Sequence, residues 1–530
     1  MHIHKLPYEK ISGISAIDLA YLTGDAALRP FYKYPPELPW FEKAIADKAR
    51  QPIDRETLAT VLRDQHAHYG EAPAVKAQIE ALASPRTFTV TTAHQPCLFT
   101  GPLYYIYKIV SAIELARQLA EKYPDYRFVP VFISGGEDHD FEEINHCHLF
   151  GKTLRWEQPL GGPVGKLPLD SLRPVLDQLR DILGDSEEAR QIYTLIERTH
   201  TTHADYGTAA CHLAHELFKD HGLVVLNASD ERLKALFVEE MKREILEQVS
   251  HDLVSETIRQ LNEAGFQAQA NPREINFFYL GNYFRERIVF EDGLFKVLHT
   301  DLRFTPAEME REIETRPGRF SPNVVMRPLF QEKILPNLAY VGGGGELAYW
   351  LERKRQFEHF GIEYPILVRR NSALWIDANS SRKLHKLGIE VEALFQDIDA
   401  LIRTFLQKNA PVEIELNGEK EQVTQLFERV AEKATAIDPT LKKTVLAEGA
   451  KVVKSLEFLE VRLMRAGKQR HEQAIEQLRK VYEKLFPNNG LQERHDNFMP
   501  LWLRHGPGFF EALFQHLDPL EKRFVVFEEK

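Results

Sequence analysis

The chain has 530 residues, of which 43% are hydrophobic and 27% are charged, and its formal net charge is −11 at pH 7. This length exceeds what one hydrophobic core can organise, so two to four domains of ordinary globular composition are expected. The acidic balance argues against nucleic-acid binding, which depends on basic surface. No apolar run approaches the roughly 18 residues that a membrane span needs.

The N-terminal sequence MHIHKLPYEKIS lacks the apolar core of a signal peptide. The three cysteines, Cys97, Cys147 and Cys211, are an odd count in a long chain, which favours reduced thiols over a disulfide framework. Together these features predict a cytoplasmic protein that binds neither membranes nor nucleic acid.

The first predicted elements are helices, and strands alternate with helices after residue 86. Charged amphipathic helices are predicted over residues 40–50 and 55–69. Strands over 87–93 and 128–134 flank a helix over 102–122, and a helix over 206–219 precedes a buried strand over 222–227. This alternation predicts an α/β fold with a Rossmann-like, parallel, doubly wound sheet.

The middle of the chain is predicted to carry a small β-containing insertion. A long charged helix over 231–261 is followed by short strands at 276–279, 287–290 and 295–298. The α/β pattern then resumes with Val324 to Leu329, a glycine run at 342–345, a helix over 346–360 and a strand over 364–369.

The C-terminal part is predicted to form an α-helical coiled-coil arm. Apolar residues spaced 4-3-4-3-4 from Leu387 to Phe405 form a narrow heptad seam. A polar, hairpin-like piece at 412–423 and a long helix over about 440–486 follow. An intramolecular helical hairpin and a seam between two chains both fit this pattern. The final strand-like segment, RFVVF, is predicted to return to the globular body.

These elements predict six regions along the chain. They are a helical lead-in (1–85), the first half of the Rossmann-like core (86–235), a connective insertion (236–320), the second half of the core (321–380), the coiled-coil arm (381–488) and a C-terminal segment that returns to the core (489–530).

The densest group of ionisable residues directly follows the strand VPVFIS and the turn Gly135-Gly136. It comprises eight residues, Glu137, Asp138, His139, Asp140, Glu142, Glu143, His146 and His148. A strand, a glycine turn and a polar cluster are typical of a site at the carboxyl end of a parallel strand. Both an acid/base site and a metal site fit these residue types, although the spacing matches no zincin motif. Glu142 and Glu143 also fit exposed charges at a helix start.

Three further segments carry candidate ligand-binding residues. In HQPCLFTGPLYYIYK, a helix start could bind phosphate or carboxylate with help from His94, Gln95, Thr100 and Lys108. In NLAYVGGGGELAYW, the consecutive glycines let a ligand approach the main chain. In VRRNS, Arg369, Arg370 and Ser372 could hold an anion, and Arg327 is a further candidate.

The segments TGPLYYIYK, GGEDHDFEEINH and RPLFQEKILPNLAYVGGGGELAYW, together with the helical arm, resemble the cysteine ligase family of bacillithiol biosynthesis. The resemblance spans nearly the whole chain in order. It implies an ATP-linked condensation of L-cysteine with glucosaminyl-malate, the last step toward the low-molecular-weight thiol bacillithiol. It also implies a Rossmann-like core related to class I aminoacyl-tRNA synthetases and a coiled-coil arm that can form a homodimer.

The chain differs from class I synthetases because it lacks their HIGH and KMSKS signatures. LFTGPLY occupies the strand-to-helix position of the first signature, and VRRNS lies at the position expected for the second. The resemblance therefore leaves open whether AMP or phosphate is the leaving group, and whether the nucleotide is catalytic or regulatory.

The ligase hypothesis assigns roles to individual residues. Asp138, His139 and Asp140 are expected to orient the substrates and to handle the amine proton. The residues expected to bind substrate or nucleotide are His94, Gln95, Thr100, Gly101, Tyr104, Lys108, Glu137, Asn145, Gly343, Gly344, Glu346, Tyr349, Arg369 and Ser372. ATP with Mg²⁺ is the expected cofactor, and no tightly bound metal is expected. The loops near 94–101, 137–146, 342–346 and 369–372 are predicted to converge on one crevice at the rim of the sheet.

Two other functions remain as alternatives. The first is a metal-dependent hydrolase that uses the EDHDFEEINH cluster. The second is a non-catalytic scaffold whose coiled-coil arm recruits other proteins. Stoichiometric zinc or manganese in protein purified without added metal would favour the first, and an absence of product from ATP, cysteine and glucosaminyl-malate would favour the second.

Overall fold

A computed structural model describes residues 1–268, 271–409 and 415–530 of the chain. In these ranges the strands form two five-stranded sheets, one three-stranded sheet and one two-stranded sheet. None of the helices in the described ranges combines the length and the apolar character of a membrane span.

The N-terminal region contains one strand followed by four helices. These elements are β1 (His2–Pro7), α1 (Ala16–Thr23), α2 (Leu38–Lys48), α3 (Arg55–His66) and α4 (Pro73–Ala81). The helices predicted over 40–50 and 55–69 are confirmed as α2 and α3. Helix α3 begins after Asp54, whose side chain caps it by accepting the Thr57 N–H at 2.9 Å.

The first half of the core alternates strands with helices as predicted. Its elements are β2 (Thr87–His94), α5 (Tyr104–Lys122), β3 (Arg127–Ser134), α6 (Phe141–Ile144), β4 (His146–Leu149), β5 (Lys152–Arg155), α7 (Arg173–Leu183), α8 (Glu187–Thr201), α9 (Tyr206–Phe218) and β6 (Val224–Asn227). Strands β2 and β3 are buried along almost their whole lengths, which is typical of a parallel sheet covered on both faces.

The insertion differs from the prediction in its helical part. Its elements are α10 (Glu231–Ala235), α11 (Val238–Glu247), α12 (Val249–Glu263), β7 (Phe277–Leu280), β8 (Arg285–Glu291), β9 (Leu294–Val297), β10 (Arg303–Phe304), α13 (Pro306–Thr315) and β11 (Phe320–Pro322). The single helix predicted over 231–261 is wrong, because the chain turns at Phe237 and takes a left-handed conformation at Gln248. The three predicted strands are confirmed as β7, β8 and β9.

The second half of the core completes the parallel sheet. It contains α14 (Arg327–Ile334), β12 (Asn337–Gly342), α15 (Gly344–Leu351), α16 (Lys354–Phe360), β13 (Ile366–Arg369) and β14 (Ala373–Ile376). The helix predicted over 346–360 is two helices, because the chain bends at Glu352 and Arg353.

The central sheet has the strand order β13-β12-β2-β3-β6, and all of its pairings are parallel. The predicted Rossmann-like parallel sheet is therefore confirmed. The chain winds outward from β2 through β3 to β6, and then returns on the other side of β2 through β12 to β13. The order reverses between β2 and β12, and ligands of open α/β sheets bind outside the carboxyl ends of strands at such a point.

The arm is a helical hairpin attached to a helical base. Its elements are α17 (Ala378–Leu387), α18 (Ile398–Asn409), α19 (Asn417–Ile437), α20 (Leu441–Arg470) and α21 (Glu472–Leu485). Helices α19 and α20 pack along each other within one chain, and they approach closely at Gly449, where an added Cβ would lie 2.7 Å from Phe427. The coiled-coil character of the arm is therefore an intramolecular hairpin in this structure.

Three details of the predicted arm need correction. The heptad seam from Leu387 to Phe405 is not one helix, because α17 ends at Leu387 and a 3-10 turn precedes α18. Of the hairpin-like piece, residues 412–414 lie outside the described residues, and α19 begins at Asn417. The long helix over 440–486 is interrupted at His471.

The C-terminal segment returns to the globular body, as predicted. It contains α22 (Met499–His505), α23 (Gly508–His516) and β15 (Arg523–Glu528). Strand β15 pairs antiparallel with β1 and parallel with β14, so it lies in the centre of the three-stranded sheet. The ring of Phe527 stacks on Trp375 at a centroid distance of 4.3 Å.

Candidate functional site

A cavity of about 650 Å³ opens at the carboxyl edge of the parallel sheet, where the strand order reverses. Its lining includes residues from all four predicted loops: His94, Gln95, Glu137, Asp138, Gly343, Gly345, Glu346 and Arg370. Tyr104 and Tyr349 line it as well. The predicted convergence of distant loops is therefore observed, although not every residue named for those loops reaches the cavity.

His94 ends β2 and lies against the first turn of α5. Its Nδ1 is 3.0 Å from the Gln95 carbonyl oxygen, and its Nε2 is 3.1 Å from the Tyr104 hydroxyl. Because a carbonyl only accepts, we assign the ring proton to Nδ1, and Nε2 then accepts from Tyr104. Burial, reinforced by the Lys108 charge, lowers the pKa of His94 to about 4, so the imidazole is neutral at pH 7.

Lys108 and Glu346 form an ion pair at the back of the cavity. The Lys108 ammonium is fully buried, lies 2.8 Å from both carboxylate oxygens of Glu346, and contacts the Ala93 carbonyl. Glu346 also accepts from the Tyr340 hydroxyl and the Gly343 N–H, both at 2.8 Å. Burial alone would raise the pKa of Glu346, but the Lys108 charge outweighs it and the pKa is about 2. The pair ties α5 to β12 and α15, and Lys108 itself does not line the cavity.

Asp138 lies at the turn after β3 and faces the cavity. Its Oδ2 accepts from Gln95 Nε2 at 2.7 Å, its Oδ1 accepts from the His139 N–H at 2.7 Å, and Arg285 Nη1 is 3.6 Å away. Burial would raise the pKa of Asp138, but Arg285 and the hydrogen bonds lower it below its usual value. The neighbouring Glu137 is ion-paired with the buried Lys234. Both carboxylates are therefore held in place before any ligand binds.

Of the remaining residues of the acidic-histidine cluster, Glu143 lines the cavity, whereas His139, Asp140, Glu142, His146 and His148 do not. His139 is exposed, and its Nδ1 lies 3.1 Å from Arg285 Nη1. Asp140 is exposed and caps α6. Asn145 is buried, and its side chain contacts His146 and Arg155. Across the three described ranges, no three His, Cys, Asp or Glu side chains are grouped closely enough to hold a metal ion.

Thr100 and Gly101 belong to a strained turn beside the site. Phe99, Thr100 and Gly101 have φ values of 49°, 73° and 62°, a conformation that side chains disfavour. Asn497 holds the turn, because its Nδ2 donates to the carbonyls of Phe99 at 2.9 Å and Gly101 at 2.7 Å. Neither Thr100 nor Gly101 lines the cavity.

Arg369 and Arg370 are adjacent in sequence, but their side chains contact different parts of the structure. Successive residues of a strand point to opposite sides. Arg369 is buried and pairs with Asp18 at 3.0 Å, on the side where Gly344 also packs against Asp18. Arg370 lines the cavity, with its guanidinium 5.2 Å from the Tyr104 ring centroid. Ser372 is buried and hydrogen-bonds Glu493 at 3.1 Å, so it supports the site from behind.

Three more arginines reach the cavity from outside the predicted list of site residues. Arg327 Nη2 donates to the Tyr349 hydroxyl at 2.8 Å, and its buried Nη1 has no hydrogen-bond partner among the described residues. Arg285 comes from the insertion, and Arg494 comes from the C-terminal segment. Arg327 stood out in the sequence as a further candidate. Arg285 and Arg494 carry no local motif, and only the tertiary structure brings them to the site.

Comparison with known proteins places these residues within one family of sequences. Residues 1–371 match the family described as bacillithiol biosynthesis BshC, N-terminal Rossmann-like domain, and residues 373–529 match its C-terminal coiled-coil domain. A protein of Flavobacterium johnsoniae named "Putative cysteine ligase BshC" is 40% identical over 523 residues, which cover 98% of both chains. Proteins with the same name from Christiangramia forsetii and Chlorobaculum tepidum are 38% and 30% identical, covering 98% and 89% of this chain and 98% and 88% of the relatives.

Proposed function

The chain belongs to the BshC family of bacillithiol biosynthesis, and we propose that it is the ligase that condenses L-cysteine with glucosaminyl-malate in the last step of that pathway. ATP would activate the cysteine carboxyl group, with Mg²⁺ as the companion ion of the nucleotide. Amide formation from a free carboxylate is uphill in water, which is why an activating nucleotide is needed.

The observation that carries this proposal is the distribution of charge across the cavity. Arg370 follows β13, whereas Asp138 follows β3, and strands β12 and β2 lie between them. At about 4.8 Å per strand, the two ends are roughly 14 Å apart. An extended pair of substrates fits this span, with the anionic groups at the arginine end and the amine at the acidic end.

Arg327, Arg370 and Arg494 are the residues that we propose to bind phosphate and the cysteine carboxylate. Guanidinium groups pair with both anions in a bidentate manner. Arg370 is fixed by Glu493, while Arg494 has no side-chain hydrogen-bond or ion-pair partner within residues 1–268, 271–409 and 415–530. The open glycine segment at Gly343 and Gly345 would let the ligand approach the main chain of α15.

Asp138 is the residue that we propose to hold the amino group of glucosaminyl-malate. The sugar nitrogen attacks the activated carbonyl carbon, a C–N bond forms, and the bond from that carbon to the phosphate oxygen breaks. AMP or phosphate leaves with the bonding electron pair, and the nitrogen, which attacks as the neutral amine, gives one proton to the Asp138 carboxylate. Pre-positioning of the carboxylate by Gln95 and the His139 N–H lowers the cost of orienting the amine.

A reconstituted assay tests the proposal. The protein is incubated with ATP, L-cysteine and glucosaminyl-malate, and mass spectrometry detects the condensation product and distinguishes AMP from ADP. Asp138→Asn should lower turnover by about 10²-fold or more, in the range of other positioned acid–base and orienting groups.

The matched control is Asp140→Asn, two positions along the same loop. Asp140 is exposed, lies outside the cavity and caps α6, and asparagine caps helices equally well. Normal turnover in Asp138→Asn, or an equal loss in Asp140→Asn, would contradict the role of Asp138. No product from the unaltered protein would contradict the ligase assignment itself.

We also propose that the outer face of the arm forms a homodimer. Within the hairpin, Leu426, Val430, Phe458, Leu459, Val461 and Leu463 are exposed. Apolar side chains exposed together along two helices are typical of an interaction surface. Light scattering should give twice the chain mass, and Phe458→Glu together with Val461→Glu, one helical turn apart on α20, should give a monomer. A monomeric unaltered protein would contradict this proposal.

A further inference from the structure

A second cavity of about 320 Å³ adjoins the first one. Four residues line both cavities: Asp138, Arg285, Asn323 and Val324. The rest of the second cavity is formed by the insertion. The two cavities therefore meet at Asp138, and a ligand whose amine contacts Asp138 lies at the boundary between them.

The wall of the second cavity carries three arginines and one carboxylate. The arginines are Arg273, Arg285 and Arg287, and the carboxylate is Asp138. Arg285 and Arg287 are two positions apart on β8, so their side chains point to the same face. Arg287 lies directly opposite Phe278 in the β7–β8 pairing, and the Arg285 guanidinium is 3.9 Å from the centroid of the Phe278 ring.

The three arginines differ in how far their charge is already neutralised. Arg285 is held by Ser321 Oγ at 3.1 Å, the Pro322 carbonyl at 3.4 Å and Asp138 at 3.6 Å, and its side chain is only 8% exposed. The side chains of Arg273 and Arg287 have no hydrogen-bond or ion-pair partner in the part of the chain that the structure describes. In a chain of net charge −11, three arginines side by side, two of them without a partner in the described ranges, create a local anion-binding surface.

We infer that this second cavity is a dicarboxylate subsite that binds the malate part of glucosaminyl-malate. The inference rests on the proposed function. Malate presents two carboxylates, and Arg273 and Arg287 offer them two guanidinium groups that have no side-chain partner among the described residues. Phe278 supplies an apolar floor for the carbon chain. The sugar then lies at the junction of the two cavities, with its amine toward Asp138.

Steady-state kinetics test the subsite by showing which substrate has a changed KM. Arg287→Gln should raise the KM for glucosaminyl-malate by at least about tenfold, because one charge-assisted pair is lost. The KM values for cysteine and ATP should stay unchanged. Arg311→Gln, an exposed arginine on α13 of the same insertion, is the matched control and should change none of them.

Calorimetric titration with L-malate alone gives a readout that does not depend on turnover. The unaltered protein and Arg311→Gln should bind L-malate, whereas the double variant Arg273→Gln with Arg287→Gln should not. Thermal unfolding of each variant verifies that it is folded.

The two proposals fail in different ways. If the unaltered protein makes the product but Arg287→Gln keeps its KM for glucosaminyl-malate, the subsite is overturned and the ligase function stands. If the unaltered protein makes no product but binds L-malate, and the double variant does not bind L-malate, the ligase function fails and the dicarboxylate site stands. A rise in the KM for cysteine or ATP in place of glucosaminyl-malate would also overturn the subsite.

Discussion

Glu493 and Arg494 are neighbours in sequence with separate tasks at the site. Glu493 is fully buried, and its carboxylate accepts from Arg370 Nη2 at 2.7 Å and from the Ala373 N–H at 3.0 Å. Burial would raise the pKa of Glu493, but the Arg370 charge outweighs it and lowers the pKa. Arg494 is exposed at the cavity edge. One residue holds the floor of the cavity, and the other is free to meet a ligand.

Substituting Glu493 and Arg494 one at a time should separate an effect on stability from an effect on catalysis. Glu493→Gln should lower the free energy of unfolding by about 3 kcal/mol or more, because it leaves the buried Arg370 without its counter-charge. Arg494→Ala should change it by less than about 0.5 kcal/mol, as expected for a surface position, yet should lower kcat/KM. Urea unfolding and the ligase assay measure the two effects. Equal stability of both variants would contradict the buried pair.

Acid should destabilise the protein through its buried histidines. His215 is 1% exposed, neither of its ring nitrogens has a hydrogen-bond partner among the described residues, and burial lowers its pKa to about 4. The unfolded chain therefore binds a proton between pH 6.5 and about 4 that the folded chain does not. Each such group costs up to about 1.4 kcal/mol of stability per pH unit as the pH falls through this window.

Replacing His215 with leucine should reduce the slope of the free energy of unfolding against pH, because one fewer proton is taken up on unfolding. Urea midpoints measured between about pH 8 and about pH 5 give the slope. His359→Leu is the control, because His359 is exposed and its replacement should leave the slope unchanged. An unchanged slope in His215→Leu would show that the fold does not exclude the proton from this site.

The core elements could be predicted from the sequence because each has a recognisable local pattern of residues. Strand β2 is rich in β-branched residues, β3 is an apolar run, each ends in a polar or glycine turn, and α5 has apolar residues at helical spacing. The breaks at Gln248 and at Glu352 could not be predicted, since neither glycine nor proline marks them. Which of Arg369 and Arg370 lines the cavity could not be predicted either, because it depends on their partners Asp18 and Glu493. Both partners lie far away in the sequence.

The start of α15 offers a test of close packing at the level of one element. A Cβ on Gly344 would overlap the Asp18 carboxylate, whereas a Cβ on Gly345 would meet nothing within 4 Å. Gly344→Ala should therefore destabilise the protein by about 1–3 kcal/mol, because Asp18 must move away from Arg369. Gly345→Ala should be neutral or slightly stabilising through its better helix propensity. Similar unfolding midpoints for the two variants would contradict this packing.

At the level of the whole molecule, the Rossmann-like and coiled-coil regions are interlocked. Strand β1, from the N-terminal region, pairs with β15, and β15 pairs with β14. Asn497 holds the turn that precedes α5, and Glu493 holds Arg370. The C-terminal segment is therefore part of both the core and the cavity, and the two regions should unfold together.

Removal of residues 521–530 tests this interdependence. The deletion takes away β15 and exposes β1, β14 and the ring of Trp375. We expect the shortened protein to lose cooperative thermal unfolding and to aggregate, as judged by circular dichroism and gel filtration. Deletion of Lys530 alone should have no effect. A shortened protein with an unchanged melting temperature would contradict the interlocked fold.

The pairing of β1 with β15 also governs when the protein can mature during its synthesis. Strand β1 leaves the ribosome long before its partner β15, because residues far apart in the sequence, such as His2 and Glu528, are paired. Until β15 emerges, β1 has an unpaired edge. Arg370 likewise lacks its counter-charge until Glu493 has been synthesised. A nascent chain that stops before β15 therefore lacks the complete three-stranded sheet, and we expect ligand binding to begin only after β15 has left the ribosome.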